Sequence, residues 1–139
     1  MAALFLVVQF IPVDRTNPPV QTELQAHEEV MTILHNACFD CHSHETIWPW
    51  YSRIAPFSWV LASHVMEGRK DLNFSIWPAF NFQKQELIFR EMEKQIENGV
   101  MPPGSYTLGH PEARLSEDER QVLLKWIREG FSNDADLNW

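Results

Sequence analysis

The sequence predicts an all-α domain of about four helices, separated by long loops rich in proline and aromatic residues. Over several stretches, apolar residues recur at spacings of three and four, as they do on the buried face of a helix. No pair of alternating stretches indicates a β-hairpin, and no internal repeat is found. The 139 residues suffice for one domain with a modest core. We divide the chain into an N-terminal segment and linker, residues 1–20, and a domain, residues 21–139.

The first predicted helix runs from about Thr22 to Ala37, and it leads directly into Cys38. Thr22 is a plausible N-cap, because a threonine hydroxyl can accept a hydrogen bond from a free amide of the first turn. The residues expected on one face of this helix are Leu24, His27, Val30, Met31 and Leu34.

Three further helices are predicted. One begins at Pro56, which suits a first helical position, and runs to about Gly68. The next spans Gln83 to Asn98, with an apolar stripe of Leu87, Ile88, Met92 and Ile96 and with Gly99 as a natural stop. The last spans Ser116 to Gly130, and Ser116 with Glu119 forms a capping box at its start.

The N-terminus is apolar from Ala2 to Val13 apart from Gln9. This stretch is shorter than the roughly 20 residues that a helix needs to span a bilayer. We interpret it as the remaining part of an export signal or membrane anchor, which makes a membrane tether at the N-terminus possible. The alternative is a hydrophobic strand or arm that packs on the domain.

The composition restricts the partners. The chain has 19 acidic against 11 basic residues and a net charge of −8. This charge argues against nucleic acid, which binds to basic surfaces. It favours a protein partner with a basic docking patch; the alternative is that the acidity serves only solubility.

The most specific motif is Cys38-Phe39-Asp40-Cys41-His42. Two thiols at this spacing can form thioethers to the vinyl groups of one haem, and the adjacent histidine can bind its iron through Nε2. The rivals are a thioredoxin-like redox pair, which needs a strand–helix context that is absent here, and half of a zinc site, which needs two more ligands. The motif therefore predicts one covalently attached haem c.

The sixth ligand of the iron is predicted to be Met101, in the stiff sequence Met101-Pro102-Pro103. The prolines restrict the loop, so that a thioether is held at the iron at lower entropic cost. A methionine–histidine pair raises the reduction potential relative to two nitrogen ligands. His64 and His110 are the substitutes if Met101 is not the ligand.

Taken together, these motifs resemble monohaem class I cytochrome c and, more specifically, the bacterial haem-binding domain proteins. The second resemblance covers nearly the whole chain. Its motifs are Phe10-Ile11-Pro12, Cys38–Ser43, Trp48-Pro49-Trp50-Tyr51, Ile54-Ala55-Pro56, Ser58-Trp59, Gly68-Arg69, Leu72–Ser75, Met101-Pro102-Pro103, Tyr106 and His110–Ser116.

The cytochrome resemblance implies a haem domain in which the first and last helices pack together. It also implies that a proline carbonyl accepts a hydrogen bond from the proximal histidine, with Pro56 preferred and Pro49 as the alternative. Possible partners of the haem propionates are Trp59, Tyr106 and Arg114. Covalent haem attachment implies a periplasmic location or the extracytoplasmic face of the bacterial inner membrane.

Two functions remain open at this point. The first is electron transfer by an iron that keeps both His42 and Met101. The second is a haem enzyme or a sensor of gas or peroxide, with an open or labile sixth position. A weaker third option is a haem-bearing module that docks to a larger complex through its aromatic loops.

Overall fold

The computed structural model describes residues 2–134, with side chains described for residues 5–130. The final residues of the predicted domain, 135–139, lie outside this part. The described residues form an all-α structure, as predicted. Its α-helices are α1 (Ala2–Val8), α2 (Glu28–Ala37), α3 (Phe39–His42), α4 (Phe57–Asp71), α5 (Phe82–Glu97), α6 (Gly104–Gly109) and α7 (Glu117–Asp134), and its 3₁₀ turns are Trp50–Arg53, Trp77–Ala79 and Pro111–Ala113.

The predicted start of the first helix was wrong. The helix begins at Glu28, six positions later, because residues 21–24 form an extended segment. The amide of Thr22 donates to Ser75 O at 3.3 Å, and the amide of Leu24 donates to Phe74 O at 2.9 Å. These backbone bonds to a distant segment compete with a helix over the same residues.

The other predicted helices lie within a few residues of their observed bounds. Pro56 occupies the N-cap position of α4 rather than its first turn. Gly99 ends α5 with a positive φ of 65°, a conformation that glycine adopts without steric cost. Ser116 and Glu119 form the expected capping box, with Ser116 N to Glu119 Oε2 at 2.8 Å and Glu119 N to Ser116 Oγ at 3.2 Å. The prediction missed α1, α3 and α6, which are too short to show a helical period.

The core lies between α2, α5 and α7 and the segment that follows α4. Leu34, Phe74, Leu123 and Ile127 are fully buried there. The expected contact between the first long helix and the last one is present, as α2 against α7. On α5, Ile88, Met92 and Ile96 are buried, whereas Leu87 is exposed and does not belong to the stripe.

The N-terminal segment contacts the domain at Gln9. Its side-chain amide accepts from Ala55 N at 2.9 Å and donates to Ala55 O at 3.4 Å. The apolar side chains of Phe5, Leu6 and Phe10 are nevertheless exposed. No helix among the described residues is both long enough and apolar enough to cross a membrane.

Candidate functional site

The two cysteines flank a single helical turn. Helix α2 ends at Ala37, and Cys38 breaks its geometry before α3 begins at Phe39. The amides of Cys41 and His42 both donate to Cys38 O, at 3.2 and 2.9 Å. The side chain of Cys38 packs against the hydrophobic core, whereas Cys41 lines a cavity.

The ring of His42 is oriented by the C-terminal end of α4. Its Nδ1 lies 2.9 Å from Gly68 O and 3.2 Å from Leu72 O. A carbonyl oxygen can only accept, so Nδ1 must carry the proton and Nε2 must carry the lone pair. Burial lowers the pKa of His42, which favours the neutral ring. His42 is therefore held in the tautomer that binds a metal through Nε2.

The prediction that a proline carbonyl accepts a hydrogen bond from His42 was wrong. Pro56 O accepts from the amides of Trp59 and Val60 in the first turn of α4, at 3.1 and 3.3 Å. Pro49 O accepts from Ser52 N at 3.0 Å. Both proline carbonyls accept hydrogen bonds within their own turns. The carbonyls of Gly68 and Leu72, at the opposite end of α4, hold the ring of His42. Gly68 O also accepts Leu72 N at 2.9 Å, using its second lone pair.

Gly68 also allows α4 to approach the motif closely. A Cβ atom at this position would lie 2.5 Å from Cys41 O and 3.1 Å from Cys41 C. Backbone atoms cannot rotate away as a side chain can, so any larger residue must push α4 away from the motif. Gly68 is the predicted end of a helix and is absent from the predicted site residues. Its position in the helix could have identified it, because it lies on one helical face with Leu61 and Val65. These two residues line the cavity beside Cys41.

We expect Gly68→Ala to lower the free energy of unfolding by about 1–3 kcal/mol, the usual cost of overpacking. Urea denaturation of the haem-loaded protein measures this change. The matched control is Gly104→Ala, because a Cβ at Gly104 meets no atom within 4 Å. Equal stability of the two variants would contradict the close approach of α4 to Cys41.

A small cavity lies beside Cys41, with about 10 Å³ of space, which is roughly enough for one water molecule. Typical ligand sites measure roughly 300–1,000 Å³. A haem could enter here only if the surrounding loops moved outwards. The residues that line it are Asp40, Cys41, Thr46, Ile47, Pro49, Tyr51, Leu61, Val65 and Tyr106. The wall thus combines four apolar side chains with an aspartate, a threonine, two tyrosines and one cysteine.

The state of the two thiols argues against the rival interpretations. Burial raises the pKa of Cys38 to about 12 and that of Cys41 to about 11. A dithiol redox site needs a thiolate and therefore a lowered pKa. Within the described part of the chain, no group of three or more His, Cys, Asp or Glu residues could hold a metal ion. Neither a thioredoxin-like pair nor a zinc site is thus supported there.

The loop after the motif is fixed by Arg69. Its guanidinium donates to Ser43 O at 2.7 Å and to Thr46 Oγ1 at 2.9 Å. It also donates to Thr16 O at 2.9 Å and Asn17 Oδ1 at 2.7 Å, which ties the N-terminal linker to the same place. Burial lowers the pKa of Arg69. Sequence reasoning did not identify Arg69 as a site residue, because all of its partners are distant in the sequence.

The candidate sixth ligands lie in different surroundings. Met101 is 38% exposed and is not among the residues that line the cavity. His64 is exposed on α4. His110 uses both ring nitrogens, with Nε2 3.0 Å from Tyr51 Oη and Nδ1 3.2 Å from Glu112 Oε1. Ligation by Met101 stays a prediction, and His110 would have to give up a hydrogen bond to replace it.

The three candidate partners of the haem propionates lie in different places relative to the cavity. Tyr106 lines the cavity, but its hydroxyl donates to Asp40 Oδ2 at 2.5 Å. Burial, together with this bond, raises the pKa of Tyr106 well above its usual range, so that it remains a donor. Trp59 and Arg114 are exposed and do not line the cavity. Of the three, the structure brings only Tyr106 to the site.

The described residues form an all-α fold in which a Cys-x-x-Cys-His turn lies against the C-terminal end of α4. The haem-binding domain family matches residues 3–129, so the chain belongs to this family. No curated protein and no solved structure matches the chain.

Proposed function

We propose that this haem protein is a monohaem c-type cytochrome that transfers electrons. Cys38 and Cys41 would hold the haem by thioethers, and His42 and Met101 would bind its iron. The observation that carries the proposal is the bond from His42 Nδ1 to Gly68 O at 2.9 Å, which leaves Nε2 with the lone pair that would bind iron. When bound, haem supplies a one-electron couple between ferric and ferrous iron.

The protein's own residues would orient and shield this group. The partly negative C-terminal end of α4 lies against His42, which makes the imidazole a more electron-rich ligand. Leu61 and Val65 supply apolar wall that excludes water from the cavity. A soft sulfur ligand from Met101 would favour the ferrous state and raise the reduction potential.

The partner and location follow from charge and chemistry and are part of the proposal. The net charge of −8 favours a redox partner with a basic docking patch. Covalent attachment through Cys38 and Cys41 favours the periplasm or the outer face of the inner membrane. A tether through the apolar N-terminal segment would keep the domain near that membrane.

A second candidate is a haem enzyme or sensor with an open sixth position. It is favoured by the 38% exposure of Met101 and by its absence from the cavity wall. The polar chain of Glu112, His110 and Tyr51 reaches the cavity and could serve a bound small molecule.

Absorption spectra of the haem-loaded protein in both oxidation states separate these candidates. For the electron carrier we expect low-spin spectra throughout, reversible reduction, and no rapid binding of cyanide to the ferric or CO to the ferrous protein. A high-spin ferric spectrum with rapid binding of either ligand would refute the carrier and support the enzyme or sensor.

A further inference from the structure

Hydrogen bonds at two points hold the N-terminal segment beside residues 52–55, which lead into α4. The side-chain amide of Gln9 pairs with both backbone groups of Ala55, accepting from its N at 2.9 Å and donating to its O at 3.4 Å. Further along the segment, Arg15 Nη1 donates to Ser52 O at 3.2 Å. Because two points of the segment are fixed, its position next to the start of α4 is defined.

The side chains around these two points are large, apolar and exposed. In the N-terminal segment they are Phe5, Leu6, Val7, Phe10 and Ile11, and in the domain they are Trp50, Phe57, Trp59 and Val60. Single exposed apolar residues are normal on a protein surface, whereas a concentration of them in one region marks an interaction site. The region around Ala55 is therefore a candidate docking surface.

The exposed face of α4 changes its chemistry along the helix. Phe57, Val60, His64 and Glu67 are all exposed, and their spacings of three and four place them on one face. The first two are apolar and the last two are polar. Only the end of α4 that adjoins the N-terminal segment is thus suited to an apolar environment, and the rest of this face is suited to water.

The same region lacks acidic residues. Of the 19 acidic residues in the chain, none lies in residues 1–13 and none in residues 46–66, where Arg53 is the only residue with a formal charge. The first acidic residue of the linker is Asp14, which is followed by the basic Arg15. Anionic lipid headgroups attract basic residues and repel acidic ones. This is therefore the side of an acidic protein that can approach an anionic bilayer without repulsion.

We propose that the exposed apolar residues of the N-terminal segment, together with Trp50, Phe57 and Val60, form a surface that lies in the interface of an anionic phospholipid bilayer. Tryptophan prefers the headgroup level of a membrane, and burial of apolar area there stabilises binding. The inference rests on the tether in the proposed function and deepens it. Gln9 and Arg15 make the tether rigid and turn one defined side of the domain towards the lipid.

Co-sedimentation of the haem-loaded protein with vesicles of equal parts phosphatidylglycerol and phosphatidylcholine tests this surface. We expect Phe57→Ser to weaken vesicle binding about tenfold, because the variant loses most of the favourable transfer of a phenylalanine side chain out of water. The matched control is Phe82→Ser. Phe82 is also exposed, at 48% against 63% for Phe57, and is also the first residue of its helix, α5. This variant should bind the vesicles as the wild type does.

A double-mutant cycle tests the role of Gln9. Gln9→Ala removes both bonds to Ala55, so Phe57→Ser should weaken vesicle binding less in that background than in the wild type. Haem spectra of all variants should match the wild type, so that a failure of the proposed haem ligation is detected separately.

Three outcomes would overturn the proposal. If Phe10→Ser weakens vesicle binding while Phe57→Ser binds like Phe82→Ser, the surface is wrong and the tether stands. If the wild type does not bind the vesicles, both the tether and the surface are wrong. If Phe57→Ser dissociates a dimer in sedimentation velocity without changing vesicle binding, the surface pairs two copies of the chain instead.

Discussion

Replacement of both Cys38 and Cys41 by serine is expected to abolish covalent retention of haem. The wild-type chain, denatured in acidic organic solvent, should keep its haem colour and show the mass of chain plus one haem. The double variant should show the mass of the bare chain, because a serine hydroxyl does not form the thioether. Each single variant should retain one bond and therefore remain covalently modified.

The expected loss is complete rather than partial, because the chain contains only these two cysteines. The control is His42→Ala, which keeps both thiols and should keep the covalent link even where the iron loses its proximal ligand. Release of free haem from denatured wild-type protein would refute covalent attachment. In that case the protein would hold its haem without a covalent bond, through His42 and the cavity residues.

The part of the site that could be predicted from the sequence is the part that is local. Cys38, Cys41 and His42 lie within five successive residues, so their spacing alone predicts a haem attachment site. The capping box at Ser116 and the stop at Gly99 are local for the same reason. Each is a contact among a few successive residues, and the sequence order already contains it.

The remaining features depend on contacts between distant residues. Gly68 O reaches His42 from 26 positions away, and Tyr106 reaches Asp40 from 66 positions away. The extended segment before α2 pairs with residues 74 and 75, so that tertiary contact overrides the local preference for a helix. A resemblance that supplied a proline carbonyl for His42 was misleading here, because the carbonyls of Gly68 and Leu72 at the other end of α4 lie within hydrogen-bond distance of His42 Nδ1.

Met101→Ala is expected to convert a low-spin, six-coordinate iron into one with an open or water-filled sixth position. The weak ferric absorption band of sulfur–iron ligation should disappear, and the reduction potential should fall by on the order of 0.1 V, because axial ligands set this potential. Cyanide and CO should then bind rapidly. Spectroelectrochemical titration of the wild type and the variant measures both the band and the potential.

The matched control for this variant is Met66→Ala, since Met66 is also exposed, at 62%, but lies on α4. It should leave the band and the potential unchanged. Retention of the band in Met101→Ala would mean that another sulfur binds the iron and would refute the ligand assignment. Absence of the band from the wild type would also refute it and would return His64 and His110 to consideration. His110 would have to break its bond to Tyr51, so ligation by His110 should appear as a lower potential, typical of two nitrogen ligands, that rises again in His110→Ala. Under the proposed ligation, Met101 would determine whether this chain carries electrons or offers its iron to a substrate.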